Sequence, residues 1–411
     1  MLPRHIQSHL QTLLGHFPCV VLTGARQSGK TTLLETMGAP WQRFDMENSA
    51  DRQQVLQDAD LFLRLHDDKI IVDEAQLAPE LFSALRVAID RDRTKKGRFL
   101  LSGSSSPSLV KQIAESLAGR VALVEMAPLS LAEAWKQPPA TLYKLLSQGA
   151  AVAEIQAAAQ PRMTLKQVHG YWFAGGYPEP WLSTSDEFRR LWHRNYIDTY
   201  LMRDIAALFP TLNRDRFRQF IALLSQYSGN ILNNAEIARA LGVSEPTVRD
   251  WLRIAHDTFL WRHIPAWDRS AAKQLVKHPK GYLRDTGLLH QLLRIVDGQM
   301  LATHPVVGKS WEGMVVETML RGFENAGIHV APFHYRTRSG AEIDLILEGR
   351  FGSAEWLPVE IKLNQQGDKR ALRSLSEFVT THNCPLGLVI NNDERPRWLD
   401  ERILAIPAAC L

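Results

Sequence analysis

Residues 17–36 constrain this chain more than any others. Phe17-Pro-Cys-Val-Val-Leu-Thr23 is a short apolar run rich in β-branched residues, the composition of a buried strand. It leads directly into Gly24-Ala-Arg-Gln-Ser-Gly-Lys-Thr31, and Thr32-Leu-Leu-Glu35 then opens a helix. A G-x-x-x-x-G-K-[ST] stretch between a strand and a helix is the pattern of a phosphate-binding loop. Each residue type has a physical task. Gly24 and Gly29 let the backbone curl so that its N–H groups face phosphate oxygens. The helix N-terminus adds a favourable potential for anions. Lys30 reaches the β- and γ-phosphates, and the Thr31 hydroxyl is offered to Mg²⁺. The residues expected to line the nucleotide are therefore Gly24, Ala25, Arg26, Gln27, Ser28, Gly29, Lys30, Thr31 and Thr32.

Further strands supply the rest of such a site. Lys69-Ile-Ile-Val-Asp-Glu74 is an apolar run ending in two carboxylates. In a parallel sheet the strand ends converge on the phosphates. Asp73 is then placed to hold the metal through its water shell, and Glu74 to orient the attacking water. Alone, such a pair is weak evidence, because charged residues commonly cap strands; the loop upstream gives it meaning. Arg98-Phe-Leu-Leu-Ser102 reads as a third strand, followed by Gly103-Ser104-Ser105-Ser106. Ser104 is a candidate γ-phosphate sensor, with an ordinary Ser/Gly turn as the alternative. Arg120 precedes the apolar strand Val121 to Val124. It reads either as a surface charge or as the cation that transition-state charge requires, supplied by a neighbouring subunit.

These stretches, with Pro128-Leu-Ser-Leu-Ala-Glu133, Ala174-Gly-Gly-Tyr-Pro-Glu179, Tyr200-Leu-Met-Arg-Asp204 and Lys280-Gly-Tyr-Leu-Arg-Asp-Thr-Gly287, run over most of the chain. Together they resemble the prokaryotic AAA-type ATPases that carry a C-terminal domain of unknown function. The resemblance implies ATP and Mg²⁺ as ligands. It also implies that Arg120 acts in trans as a finger, and hence a ring or other head-to-tail homo-oligomer.

The middle of the chain has a different character. Leu131 to Arg218 reads mostly helical, the expected place for a lid over a nucleotide core. Arg194, Asp198 and Arg203 fall near one side of a helix, as solvated salt bridges more readily than as nucleotide sensors. The total charge is only +4, but Arg189 to His290 holds 16 Lys/Arg against 9 Asp/Glu. That excess is a candidate surface for a polyanion, or simply a solvated basic face. Within it, Asn234 to Leu252 has the helix–turn–helix pattern. Ala238 is small where two helices meet, Gly242 permits the turn, and Val243 and Val248 fill a small core. Ser244 can cap the second helix, next to Pro246. Thr247, Arg249 and Arg253 are left facing outward, as a groove-reading helix presents them. Phe259 to Ile264 can supply strands of a wing. A winged helix used for protein contacts or lid packing is the alternative.

In the last third, a helix beginning at Lys309 carries Glu312. Strands follow at His334–Arg338, Ala341–Leu347 and Leu357–Leu363, then a helix from about Lys369 to Val379 and a strand from Pro385 to Ile390. This order resembles the restriction-endonuclease-like PD-(D/E)xK fold, with Glu312, Asp344, Glu360 and Lys362 at the matching positions and Ile343 where a proline is usual. The resemblance implies that Asp344 and Glu360 bind Mg²⁺ or Mn²⁺, that Lys362 helps activate water, and that Glu312 is an outer or second-metal ligand. An active nuclease, an inactive nucleic-acid-binding relic and ordinary charged strand ends all stay open.

The whole is read as α/β: a P-loop AAA-type core (1–130), a helical lid (131–220), a winged helix (221–300) and a restriction-endonuclease-like domain (301–411). A composition of 45% hydrophobic and 22% charged residues excludes disorder and low complexity. Three scattered cysteines, Cys19, Cys384 and Cys410, exclude a disulfide scaffold and fit a reducing compartment. The N-terminal residues lack the pattern of a secretory signal, and no apolar stretch approaches membrane-spanning length, so a cytoplasmic location without membrane attachment is expected. Three functions fit: an ATP-dependent DNA-processing enzyme, a nucleotide-controlled DNA-binding switch that cuts nothing, and an ATPase that remodels proteins. The basic middle favours the first two; Asp344, Glu360 and Lys362 favour the first.

Overall fold

A computed structural model of the chain describes residues 2–104, 113, 115–205, 209, 212–268, 278–337, 340–364 and 369–411, and for 104, 201–204 and 369–371 the backbone alone. The N-terminal part is a five-stranded parallel sheet in the order β2-β3-β4-β1-β5, from β1 (Cys19–Gly24), β2 (Gln42–Asp45), β3 (Ile70–Asp73), β4 (Phe99–Ser104) and β5 (Val121–Glu125). Alternation along β1 divides its apolar residues between two cores. Val20 and Leu22 face helix α1 (Ile6–His16), which buries Ile6, Leu10 and Leu14 at helical spacing. Cys19 and Val21 face helix α3 (Glu80–Arg91), which buries Leu81, Phe82, Leu85 and Ile89. The short helix α2 (Lys30–Glu35) follows β1 through the glycine-rich loop. Strand β2 escapes the sequence reading because Gln42-Arg-Phe-Asp45 is short and half polar.

Residues 131–205 are mostly short helices, among them α4 (Asp186–Tyr196), which continues into a π-helical stretch, Ile197–Asp204. Arg218 pairs with Asp198 at 3.3 Å, as a solvated bridge; the Arg203 side chain lies outside the described residues. Helices α5 (Asn234–Leu241) and α6 (Glu245–Asp257) meet across the turn at Gly242, whose φ of 62° is left-handed. Ser244 caps α6 by accepting from the Thr247 N–H, and Pro246 lies in its first turn. A small sheet in the order β6-β8-β7 stands beside this pair, from β6 (Asn230–Ile231), β7 (Trp261–Ile264) and β8 (Lys280–Leu283).

The C-terminal part is a six-stranded sheet in the order β13-β14-β12-β11-β10-β9. Its strands are β9 (Ala331–Arg336), β10 (Glu342–Phe351), β11 (Ala354–Ile361), β12 (Gly387–Asn391), β13 (Arg397–Asp400) and β14 (Ile403–Pro407). Helix α7 (Val307–Asn325) is buried almost all round, from Ser310 to Arg321, as befits a helix enclosed by its neighbours. Helix α8 (Lys369–Thr381) packs Leu375, Phe378 and Val379 on the sheet. A single hydrophobic core extends from Leu129 to Leu411, joining the helices after β5, the α5–α6 pair, the small sheet and α7. The two cores of the parallel sheet are separate from it.

Candidate functional site

The parallel sheet brings Lys30, Thr31, Asp73 and Glu74 to one edge, at the C-terminal ends of β1 and β3. Gly24 has φ 151°, and a Cβ there would lie 2.1 Å from the Met126 carbonyl oxygen, so only glycine lets the chain leave β1 this way. Gly29 has φ 95° at the cap of α2, and Gln27 also takes a left-handed conformation, φ 61°. Lys30 is 5% exposed and donates to the carbonyls of Gly24 and Ala25, both at 3.0 Å. Burial pulls its ammonium down to about 8, against the opposing pull of Glu74 and Asp73.

Thr31 Oγ1 donates to Asp73 Oδ2 at 2.9 Å. The same carboxylate is held by two residues that sequence patterns did not single out for this site. Arg43, on β2, donates to Oδ2 at 2.8 Å, and buried Ser102 donates to Oδ1. Ser102 Oγ also accepts from the Glu74 N–H at 3.4 Å. Glu74 sits in a left-handed conformation, φ 52°, with its carboxylate accepting from Gln76. A hydroxyl and a carboxylate as neighbouring oxygen donors suit a hard cation such as Mg²⁺. Ser104 ends β4 opposite Gly24; its side chain lies outside the described residues.

Two more residues grip the outside of the loop. Arg4 donates to the carbonyls of Ser28 at 2.7 Å and Ala127 at 2.6 Å, and pairs with Glu133 at 3.3 Å. Tyr196, on α4, donates to the Arg26 carbonyl at 3.2 Å and accepts from Tyr177. An apolar crevice of about 320 Å³ opens beside Gly29 and Thr32, walled by Leu2, Pro3, Leu33, Pro178 and Leu182.

Arg120 lies at the start of β5, paired with Asp90 at 2.7 and 2.9 Å. Because β5 runs parallel to β1, with Val121 beside Cys19, Arg120 is six residues back along the sheet from Gly24. That is roughly 20 Å at the usual rise of a strand. Arg120 therefore stands apart from the glycine-rich loop of its own chain.

On α6, Arg249 and Arg253 are exposed and one turn apart, within 4.0 Å of Glu245 and 3.1 Å of Asp250 respectively. Thr247 is half-buried, its hydroxyl 2.8 Å from that of Ser244.

Glu312, Asp344, Glu360 and Lys362 do meet, around a cavity of about 540 Å³ with Lys309, Gly340 and Glu342 at its edge. Strands β10 and β11 pair antiparallel with Leu345 opposite Val359, which sets Asp344 beside Glu360. Glu360 Oε1 accepts from Lys362 at 2.5 Å, while buried Oε2 has no partner among the described residues. Burial and the Asp344 carboxylate push the Glu360 carboxyl up to about 8, against the pull of Lys362. Lys280 enters this cluster from β8, an arrival that no local pattern announces. Among the described residues, no three Asp, Glu, His or Cys side chains form a group able to hold a metal ion. As arranged here, the set does not fit a divalent cation.

A buried ion network links the two regions. Glu317, on α7, accepts from Arg262 at 2.6 Å and Arg284 at 3.3 Å and forms an ion pair with Arg321 at 3.4 Å, and Arg284 also donates to Glu125 at the end of β5. Burial opposes ionisation of Glu317, but the three guanidiniums win and hold its carboxyl well below the usual range.

The strand–loop–helix, the parallel sheet and the Asp73–Glu74 edge define a P-loop ATPase core of the AAA type. A family described as "AAA domain" matches residues 16–135. Domains of unknown function, DUF8612 and DUF4143, match 165–299 and 307–411. The chain belongs to the family of the uncharacterized protein Rv2008c of Mycobacterium tuberculosis, with which it is 34% identical over 98% of its own length and 83% of that protein's. The uncharacterized protein MJ1544 of Methanocaldococcus jannaschii is 23% identical over 72% of this chain and 63% of its own. Among solved structures, a Walker-type ATPase of Pyrococcus abyssi is similar at a TM-score of 0.46, with 14% identity over 71% of this chain and 96% of that one. The Thermotoga maritima RuvB Holliday junction branch migration motor has a TM-score of 0.28, with 15% identity over 67% and 95%. Similarity at these scores assigns no function to this chain. Among the described residues, no helix is long and apolar enough to cross a membrane.

Proposed function

We propose that this chain is an ATP-hydrolysing enzyme that acts on DNA. The observation that carries the ATPase part is the convergence of Lys30, Thr31, Asp73 and Glu74 on one sheet edge beside a glycine-curled loop. Mg²⁺ bound with the nucleotide supplies charge neutralisation for the phosphates. Lys30 exchanges its two loop carbonyls for phosphate oxygens. Thr31 and Asp73 hold the metal's ligand sphere, with Ser102 and Arg43 fixing the Asp73 carboxylate. Glu74 positions the attacking water. The crevice beside Gly29 and Thr32 offers apolar walls for the base. Arg120, remote from its own loop, serves the site of a neighbouring subunit in a homo-oligomer.

DNA contact is assigned to a winged helix formed by α5, α6 and the β6-β8-β7 sheet. The exposed Arg249 and Arg253 support this assignment, whereas the basic excess of the segment is not all surface, since Lys280 and Arg284 are buried in ion pairs. For the C-terminal cluster, the lysine-filled carboxylates favour a module that grips or senses over one that cuts, and with it the nucleotide-controlled switch. ATP turnover measured with and without duplex, forked, junction and single-stranded DNA tests the proposal. Lys30→Ala and Glu74→Gln are each expected to abolish hydrolysis; normal turnover in Glu74→Gln removes its role. DNA is expected to stimulate the wild type, and Arg249→Ala with Arg253→Ala to weaken DNA binding and flatten its salt dependence by about one unit per lost phosphate contact. Indifference to every DNA refutes the DNA assignment and leaves remodelling of a protein as the reading.

A further inference from the structure

The carboxylates that the fold offers to a divalent metal already hold a cation of the chain's own. Lys280 opens β8 and is 1% exposed. Its ammonium donates to Glu312 Oε1 and lies 3.3 Å from Asp344 Oδ1, so it bridges the helix α7 carboxylate to the β10 carboxylate. Tyr282 is two residues further along β8, hence on the same strand face, and its hydroxyl donates to the same Glu312 oxygen. The remaining oxygens are mostly taken. Glu312 Oε2 meets Lys309 at 3.0 Å, Asp344 Oδ2 accepts from the Ile361 N–H at 3.0 Å, and Glu360 Oε1 meets Lys362. Three carboxylates thus face three ammonium groups.

We propose that Lys280 is a resident counter-ion that closes the Glu312–Asp344–Glu360 site to divalent metal, and that the site accepts metal only when Lys280 is withdrawn. An ion bound by Asp344 and Glu312 would share their oxygens with an ammonium at contact distance. Like charges repel strongly at such a separation in a buried place. A hard divalent ion also needs about six oxygen ligands, whereas here Lys280, Tyr282, Lys309, Lys362 and the Ile361 N–H already occupy five of the six carboxylate oxygens. Lys280 belongs to the strand that precedes Arg284, so the cation that closes the C-terminal cluster and the guanidinium that reaches Glu125 travel on one element. The inference is independent of ATP hydrolysis and is tested without it.

The experiment is Mn²⁺ binding to the full-length chain without nucleotide, followed by electron paramagnetic resonance, with melting temperature as a second readout. The wild type is expected to show no Mn²⁺ binding that Asp344→Asn removes, and a melting temperature indifferent to Mn²⁺ and to EDTA. Lys280→Met keeps the aliphatic stem and removes the charge. It is expected to gain a site at least about tenfold tighter, lost again in Lys280→Met with Asp344→Asn, and to melt higher with Mn²⁺ than with EDTA. Lys280→Met leaves two carboxylates facing each other in the interior. If it does not fold without metal, Lys280→Met with Glu312→Gln removes one charge of each sign and leaves Asp344 and Glu360 for the ion. Asp344-dependent Mn²⁺ binding in the wild type as tight as in the Lys280 variants overturns the proposal. So does a folded variant that lacks Lys280, keeps Asp344 and binds no Mn²⁺.

Discussion

Replacing Glu317 by glutamine is the severest test of the buried electrostatics of this protein. The change keeps the volume and leaves an amide oxygen able to accept one or two hydrogen bonds. It removes the negative charge that Arg262, Arg284 and Arg321 share, in a place where Glu317 is 3% exposed. A unit pair at about 4 Å is worth about 4 kcal/mol at an effective dielectric constant near 20, so three such contacts sum to a gross attraction of about 12 kcal/mol. Most of that is offset by desolvation in the intact network. Breaking a buried pair from one side costs about 3–5 kcal/mol, because the surviving charges stay buried. Glu125 still answers Arg284, which places the expected loss near the lower end, about 3 kcal/mol. The assay is urea unfolding at pH 7 followed by tryptophan fluorescence, with the denaturant slope checked for constancy.

The pH dependence gives this magnitude a second handle. The Glu317 carboxyl is depressed in the folded chain from its ordinary value of 4.5. A depressed carboxylate contributes stability that is fully present above the unfolded value and is lost as pH falls toward the folded one. The gap between wild type and Glu317→Gln is therefore constant at neutral pH and narrows below about pH 4. A loss under about 1 kcal/mol at pH 7 with an unchanged slope refutes this reading of the network. So does a gap that stays constant into acid.

Arg120→Ala should leave ATP binding intact and abolish turnover, and addition of a Lys30→Ala chain, which keeps its own Arg120, should restore part of the activity. Full activity of a monomeric Arg120→Ala protein, checked by light scattering, excludes a role in trans. Ser102→Ala removes the hydroxyl that bridges Asp73 and the Glu74 backbone. Turnover should fall about tenfold or more while nucleotide affinity changes little, because the loss is one of positioning; an equal loss in affinity and turnover points instead to collapse of the loop.

The glycine-rich loop and the sheet edge beside it were largely legible because their determinants are local. Gly24 to Thr32 form one uninterrupted stretch, and Asp73 and Glu74 end a strand recognisable from its apolar neighbours. The helix pair at Asn234 to Leu252 was legible for the same reason, since Gly242 and Ser244 act within a turn of their own positions. What escaped detection depends on distance along the chain. Arg4 meets Glu133 129 residues on, and Lys280 meets Glu312 and Asp344 after 32 and 64 residues. Arg43 lies on a strand with no apolar alternation, so neither its place in the sheet nor its hold on Asp73 could be read from its neighbours. The continuous core from Leu129 to Leu411 is likewise built from side chains that meet only after folding.

The phosphate loop is strung between two anchorages. On one side Arg4, at the entry to α1, holds the Ser28 carbonyl; on the other Tyr196, rooted in the core that continues to Leu411, holds the Arg26 carbonyl. Two tethers on carbonyls two residues apart fasten the loop to α1 on one side and to the larger body of the chain on the other. Any change of curvature that turns the loop's N–H groups toward phosphates rotates those same peptide units, and with them the carbonyls that the tethers grip. The loop's curvature is thereby tied to α4 through the Tyr196 hydroxyl, a bond that Tyr196→Phe removes without touching any residue of the loop itself.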